Sequence, residues 1–420
     1  MNIKDVLMKQ KYELEKAMDK KTLADRDVMQ QLSKMADSNL AKIVTGIRRS
    51  GKSTLIYLLM HGLDYGYINL DDINLYGIDF NDLFNNFIEL YGNVKYIFID
   101  EIQNLDNWEL FVNNLQKNFN VFINGSNSKL LSSELSSHLT GRHLQINLFP
   151  LSFKEYMEYK GVLNEGYLDP PILRNNLSHY IEMGGFPDIL IGKEDRFLYL
   201  KQLYTDIIEK DIIIRHKITF VKTFIDMSQA ILNNYSGYIS YNKIKNVFGI
   251  GSVHTARNYI YYLEESFLVF TLDKYSHKSA EIENSVKKIY LMDTGLISIL
   301  DKSSADSGRS MENAVAIELK RRSVENNFNI YYWQDYNGHE VDFVVKKGIE
   351  ITSLIQVTYS TTNNEMPAGE AAALVKASEQ LNCNNLIIIT WDFDDKLMFK
   401  NHKIIYISLW RWLLSGNSIA

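Results

Sequence analysis

The stretch Ala41-Lys42-Ile43-Val44-Thr45-Gly46-Ile47-Arg48-Arg49-Ser50-Gly51-Lys52-Ser53-Thr54 decides the fold. It begins as an apolar strand, AKIVTGI (41–47), and runs on into STLIYLLM (53–60), which reads as a helix. Between the two, Gly46 to Ser53 fits G-x-x-x-x-G-K-[ST]. Glycines let the loop turn its N–H groups onto phosphate oxygens, an approach that side-chain bulk would block. Lys52 then reaches the β- and γ-phosphates as a point charge, and the Ser53 hydroxyl binds Mg²⁺. The dipole of the helix that opens at Ser53 and Thr54 favours the anion. A chance loop is the bland alternative; a strand directly before it and a helix directly after it count against that. Arg48 and Arg49, inside the loop, contact phosphate or face solvent.

A second signal lies some 50 residues on. Val94–Ile99 is an apolar strand ending in Asp100-Glu101, and parallel sheets bind ligands at the C-terminal edges of their strands. There Asp100 serves the Mg²⁺ shell and Glu101 orients or deprotonates the attacking water, although acidic pairs after strands also cap helices. YGYINL (65–70) supplies an additional strand between the lysine loop and the acidic strand. With the glutamate beside the metal aspartate, that marks the ATPase branch containing AAA proteins. The next strand ends in Asn124-Gly125-Ser126-Asn127-Ser128. Ser126 or Asn127 is the candidate for sensing the γ-phosphate, and ordinary turn chemistry explains the cluster equally well. Arg142, just before HLQINLF (143–149), is either an arginine finger acting in cis or in a neighbour, or one arm of a surface ion pair.

Farther out, the pattern organises the whole chain of 420 residues, enough for two to three domains. Residues 1–38 read as two polar amphipathic helices broken near Lys20-Lys21, and five strands alternate with helices from 41 to about 152. Residues 153–233 are helical around the turn Gly184-Gly185-Phe186-Pro187, a small helical unit with strands spans 235–276, and strands return from about 285. Hydrophobic residues make up 46% of the chain, far from disordered composition. No apolar run approaches the roughly 18 residues that cross a bilayer, and one cysteine, Cys383, excludes intramolecular disulfides. Both point to a cytoplasmic protein with no membrane partner. A net charge of −6 excludes coating of nucleic acid by bulk charge, though not a local basic patch. The nine histidines show no metal-ligand spacing.

KIVTGIRRSGKSTL, YINLDD, YIFIDEIQN, VFINGSNSKLL, LTGRHLQINLFPLSFKEY and GGFPD together resemble the prokaryotic AAA-type ATPases that carry a C-terminal domain of unknown function. The likeness continues through LYTDIIEKDIIIR, TARNYIYYLEESFLV, KKIYLMDTGL, ENAVAIELKRR and EVDFVV, and so covers nearly the whole chain. It implies an α/β fold: a P-loop NTPase parallel sheet (1–155), a helical lid or linker (156–233), a winged-helix-like domain (234–284) and a domain like the PD-(D/E)XK nucleases (285–420). Its cofactors are ATP and Mg²⁺. The site expected from loop and resemblance together comprises Gly46, Arg48, Arg49, Ser50, Gly51, Lys52, Ser53, Thr54, Asp100, Ser126 and Asn127 for binding. Lys52, Glu101 and Arg142 take the catalytic roles.

In the last domain the nuclease positions look like Glu312 or Glu318 on a helix, Asp342, and Gln356 in Ile355-Gln356-Val357-Thr358. A carboxylate pair of this kind holds Mg²⁺ and a lysine supports the water, but the lysine position holds Thr358. Lys346 and Lys347 are the nearby substitutes, and an inactive site is expected. Glu340 and Asp342 alternate with Val341 and Phe343 as any half-exposed strand would. In the winged-helix unit, Ser252, His254, Thr255 and Arg257 begin a second helix that would meet the major groove, with Lys274 and Lys278 on the wing; packing is its alternative role. The expected activity is a Mg²⁺-dependent ATPase acting as a nucleotide-driven switch or remodelling factor, with double-stranded DNA, a further copy of the chain or another protein as partner. An ATP-regulated nuclease and a non-catalytic adaptor are the alternatives.

Overall fold

A computed structural model describes residues 2–19, 23–125, 143–165, 169–192, 195–276, 278, 281–282, 285–300, 306–362 and 368–416. Ser126, Asn127 and Arg142 lie outside them. The chain divides into two compact units, one of which holds Met1–Leu151, while Ser152–Glu264 and Leu268–Ala420 form the other.

The first unit is built on five parallel strands: β1 (Ala41–Thr45), β2 (Tyr65–Asn69), β3 (Tyr96–Asp100), β4 (Asn120–Gly125) and β5 (His143–Asn147), in the order β2-β3-β4-β1-β5. Both faces of each inner strand are apolar, so period-two alternation separates two cores rather than a core from solvent. Ile43, Ile97, Ile99, Val121 and Ile123 meet Val6 and Leu7 of α1 (Ile3–Met18), Phe87 of α4 (Phe80–Tyr91) and Phe111 of α5 (Trp108–Leu115). Val44, Phe98 and Phe122, one residue out of phase, meet Leu32 of α2 (Val28–Met35) and Leu55, Ile56 and Met60 of α3 (Lys52–Met60). Phe111 packs edge-on against Phe80, Phe84 and Phe87 and is fully buried. Its replacement by alanine costs about 3–5 kcal/mol.

All five expected strands form, but the spatial order differs from the chain order. β2 sits at the sheet edge, and the strand inserted between the loop strand β1 and the acidic strand β3 is β4. The C-terminal end of β4 therefore opens between the two motifs.

The second unit carries nine strands. They are β6 (Gly237–Ile239), β7 (Val269–Lys274), β8 (Lys287–Leu291), β9 (Asn329–Gln334), β10 (Glu340–Lys347), β11 (Glu350–Thr358), β12 (Leu386–Thr390), β13 (Asp395–Phe399) and β14 (His402–Ser408). They form one mixed sheet in the order β13-β14-β12-β11-β10-β9-β7-β8-β6. β13 had no counterpart in the sequence reading. Helices Val221–Asn233, Tyr241–Val247 and Val253–Glu265 are interleaved with β6, β7 and β8, and β7 joins β9 in parallel through Asp273 and Tyr331. Strands on both sides of the expected boundary at 284 thus share a sheet.

Two of the quoted motifs meet here. Asp293 of KKIYLMDTGL is buried, and its carboxylate accepts from Gly185 N of GGFPD at 2.7 Å and from Gly295 N at 2.8 Å. Burial pushes this carboxyl up to about 7, while the two backbone donors pull it down.

Candidate functional site

The phosphate loop occupies the turn from β1 into α3. At Gly46 φ is +150°, and a Cβ there would stand 2.1 Å from Leu148 O, so only glycine fits. Gly51 (φ +96°) precedes α3, and Arg49 also adopts a left-handed backbone, at φ 70°. Arg48 is half-buried, Arg49 exposed and Ser50 buried. Lys52 is buried, and its ammonium donates to Gly46 O at 2.9 Å and Ile47 O at 3.0 Å, folded onto its own loop. The Thr54 hydroxyl turns away toward Met18 Sδ, at 3.7 Å.

Asp100 ends β3, and Glu101 turns the chain in a left-handed conformation (φ 53°) that non-glycine residues adopt sparingly. What holds that turn is Asn124, at the end of β4 and fully buried. Its Oδ1 accepts from Glu101 N at 3.1 Å, and its amide donates to Ser53 Oγ at 3.1 Å. One side chain thus bridges the lysine loop and the acidic pair. Tyr67 of β2 donates its hydroxyl to Asp100 Oδ2 at 3.3 Å, and Gln103 donates to Glu101. Burial and the neighbouring Glu101 carboxylate raise the Asp100 pKa, against the pull of Ser53, Asn124 and Lys52.

Arg26, in the segment between α1 and α2, donates to Ser50 O at 3.0 Å and Phe149 O at 2.6 Å. It fastens the loop to the exit of β5. Neither Arg26 nor Asn124 was read as a site residue from sequence. Asn124 was within reach, since it is the last polar side chain of an apolar strand; in the sheet it stands beside Val44, and Ile123 beside Ile99. Arg26 carried no signal.

The chemistry of the donors fits a phosphate with its metal. Ser50 Oγ and Asp100 Oδ1 are buried without a hydrogen-bond partner, an arrangement costly to keep unless a ligand completes it. Ser53 and Asp100 offer the hard oxygens that Mg²⁺ prefers.

In the second unit, the backbone N–H of Asp342 on β10 donates to Gln356 Oε1 of β11 at 3.3 Å, and Lys288 links Asp342 to Glu312 on helix Ser307–Asn326. Glu318 does not join them, because it pairs with Arg321 and Arg322. A lysine not read as a site residue from sequence stands among them: Lys288 of β8 lies within 2.9 Å of Glu312, 2.5 Å of Glu340 and 3.0 Å of Asp342. Lys346 is elsewhere, over the Tyr275 ring. Among the described residues no group of three or more His, Cys, Asp or Glu side chains is arranged to hold a metal.

At the start of helix Val253–Glu265, Ser252 and Thr255 are engaged with each other as a cap, Thr255 N donating to Ser252 Oγ at 2.9 Å. His254 and Arg257 are exposed, and Arg257 lies 5.3 Å over the Tyr241 ring. No described helix is long and apolar enough to cross a membrane.

A loop of this geometry on a parallel sheet of this order, faced by an acidic pair, defines an AAA-type P-loop ATPase domain. Residues 38–157 accordingly match the family described as an AAA domain. Residues 174–307 and 307–410 match two domains of unknown function, DUF8612 and DUF4143. The chain belongs to the same family as the uncharacterized protein MJ1544 of Methanocaldococcus jannaschii, with 33% identity over 401 residues, 90% of this chain and 89% of that one. An uncharacterized protein of Haemophilus influenzae is 27% identical over 94% of this chain and 99% of its own. Among solved structures, the Walker-type ATPase PABY2304 of Pyrococcus abyssi aligns with a TM-score of 0.44 and 15% identity, over 67% of this chain and 96% of that one.

Proposed function

We propose that the protein is a Mg²⁺-dependent ATPase of the cytoplasm that uses nucleotide turnover to switch or remodel a complex on double-stranded DNA. The observation that carries the hydrolytic part is the Asn124 bridge between Ser53 and Glu101. In this reading Lys52 leaves the Gly46 and Ile47 carbonyls for the phosphates, and Ser50 and the loop N–H groups accept the anion. Bound Mg²⁺ supplies the positive charge that offsets charge developing on the transferred phosphoryl group. Ser53 and Asp100 hold it, which favours the ionised form of Asp100. Glu101, fixed by Asn124 and Gln103, orients the water and takes its proton. Asn124 joins Ser126 and Asn127 as a candidate for sensing the phosphate, and Arg142 completes the site in cis or in a neighbouring copy.

Lys52→Ala removes the charge that grips phosphate and abolishes binding of a fluorescent ATP analogue. Glu101→Gln leaves that binding intact and stops phosphate release. Equal turnover by wild type and Glu101→Gln would refute the assignment.

DNA as the partner is supported by the order helix, β6, helix, helix, β7, β8, the connectivity of a winged helix, with His254 and Arg257 exposed on its second short-turn helix. Lys274, at the end of β7, and Lys278 then face the phosphate backbone from the wing. Binding to a duplex at low salt, falling steeply as salt rises, tests it. A rate that climbs with protein concentration more than proportionally tests the neighbouring-copy role of Arg142.

A further inference from the structure

We propose that the Lys288 ammonium is the resident cation of the carboxylate cluster in the C-terminal domain, standing where a divalent metal would have to bind. Lys288 is 3% exposed at its side chain. An ammonium has three N–H donors, and three carboxylates surround this one, Glu312 and Asp342 as hydrogen-bond acceptors and Glu340 as an ion pair.

Other donors hold two of these carboxylates in place. Glu312 Oε1 accepts from the Tyr290 hydroxyl at 2.7 Å, and Asp342 Oδ2 accepts from Val357 N at 3.0 Å. Gln356 turns its carbonyl oxygen onto Asp342 N at 3.3 Å, where it is spent on the backbone. A lysine that assists a metal-bound water must leave the carboxylates free to face the metal. Here it is spread over three of them.

Charge points the same way. Three carboxylates within 3.0 Å of the Lys288 nitrogen offset its charge in spite of its burial. A metal entering the cluster would compete with this buried ammonium for the same three carboxylates and set two cations against each other. Lys288 is tethered to β8 and competes at every metal concentration.

With Lys288 in place no metal is held there; the three carboxylates that meet at its nitrogen become open to a divalent ion only when that nitrogen is removed. The test uses the full chain without nucleotide, with Mn²⁺ as the probe and the loss of the free-ion signal in electron paramagnetic resonance as the readout. Wild type, Asp342→Asn and Lys288→Arg bind the same small amount of Mn²⁺, which belongs to the ATPase unit. Lys288→Met binds one further ion per chain, and Lys288→Met with Asp342→Asn loses it. Wild-type binding that Asp342→Asn removes would overturn the proposal, as would a folded Lys288→Met that takes up no further ion. If Lys288→Met does not fold, the comparison of wild type with Asp342→Asn still tests the proposal, because wild-type uptake that Asp342→Asn removes would overturn it. Mn²⁺-dependent plasmid cleavage by wild type, lost in Asp342→Asn, would also overturn it.

Discussion

Replacing Asn124 with alanine removes two hydrogen bonds of 3.1 Å, one from the buried amide to Ser53 Oγ and one from Glu101 N. Each is worth about 1 kcal/mol net, and the partly buried Glu101 N–H left unmet adds roughly another 1 kcal/mol. The left-handed Glu101 turn then loses the group that holds it, so the water-orienting carboxylate wanders. Neither bond is made to the nucleotide, so the loss falls on turnover and not on binding. About 2–3 kcal/mol corresponds to a fall in kcat of roughly 30- to 150-fold, with KM for ATP within about a factor of three. The assay is steady-state phosphate release at saturating Mg²⁺ and ATP, alongside binding of a fluorescent analogue. A kcat for Asn124→Ala within a factor of three of wild type would refute the reasoning.

Arg26→Ala frees the Ser50 and Phe149 carbonyls from a shared guanidinium. At about 1 kcal/mol or more for each charged hydrogen bond at this half-buried position, nucleotide binding measured by calorimetry weakens about ten- to thirty-fold, and an unchanged Kd would show that the loop holds itself. Glu370, with a carboxyl raised to about 7 in the folded chain, binds its proton more tightly there than in the unfolded chain. It therefore adds stability at low pH that is lost as pH rises from about 4.5 through 7. Urea midpoints of wild type fall between pH 5 and pH 8, and Glu370→Gln removes about 2 kcal/mol of that fall; a pH dependence identical in both proteins would contradict the cause. His254→Ala with Arg257→Ala weakens duplex binding and flattens its salt dependence, measured by fluorescence anisotropy, without changing basal ATP turnover; unaltered binding would move the contact elsewhere.

The first unit was legible because its signals are local. A loop of eight residues fixed by its own glycines, strands apolar on both faces and an acid pair at a strand end are all written in consecutive residues. What escaped was assembled across the sheet. Asn124 matters because β4 lies between β1 and β3, an order that no short window contains. Arg26 comes from a segment 24 residues before its partner Ser50 and 123 before Phe149. Lys288 shows the same limit in the second unit. The expectation of a lysine at position 358 came from spacing along one strand, whereas the cation is delivered from β8, three places along the sheet from β11's neighbour β10. Glu340, read as ordinary strand alternation, belongs to the same cluster for that reason.

The pairing of β6 and β7 with β8 has a practical corollary for anyone cutting this chain. A fragment ending at residue 284 strips β6 of its antiparallel partner, β8, and leaves β7 with bare amide and carbonyl rows along both flanks. Such rows recruit foreign strands. The three-helix segment prepared by itself is thus destined to clump, and a usable truncation must carry the chain through at least Gln334.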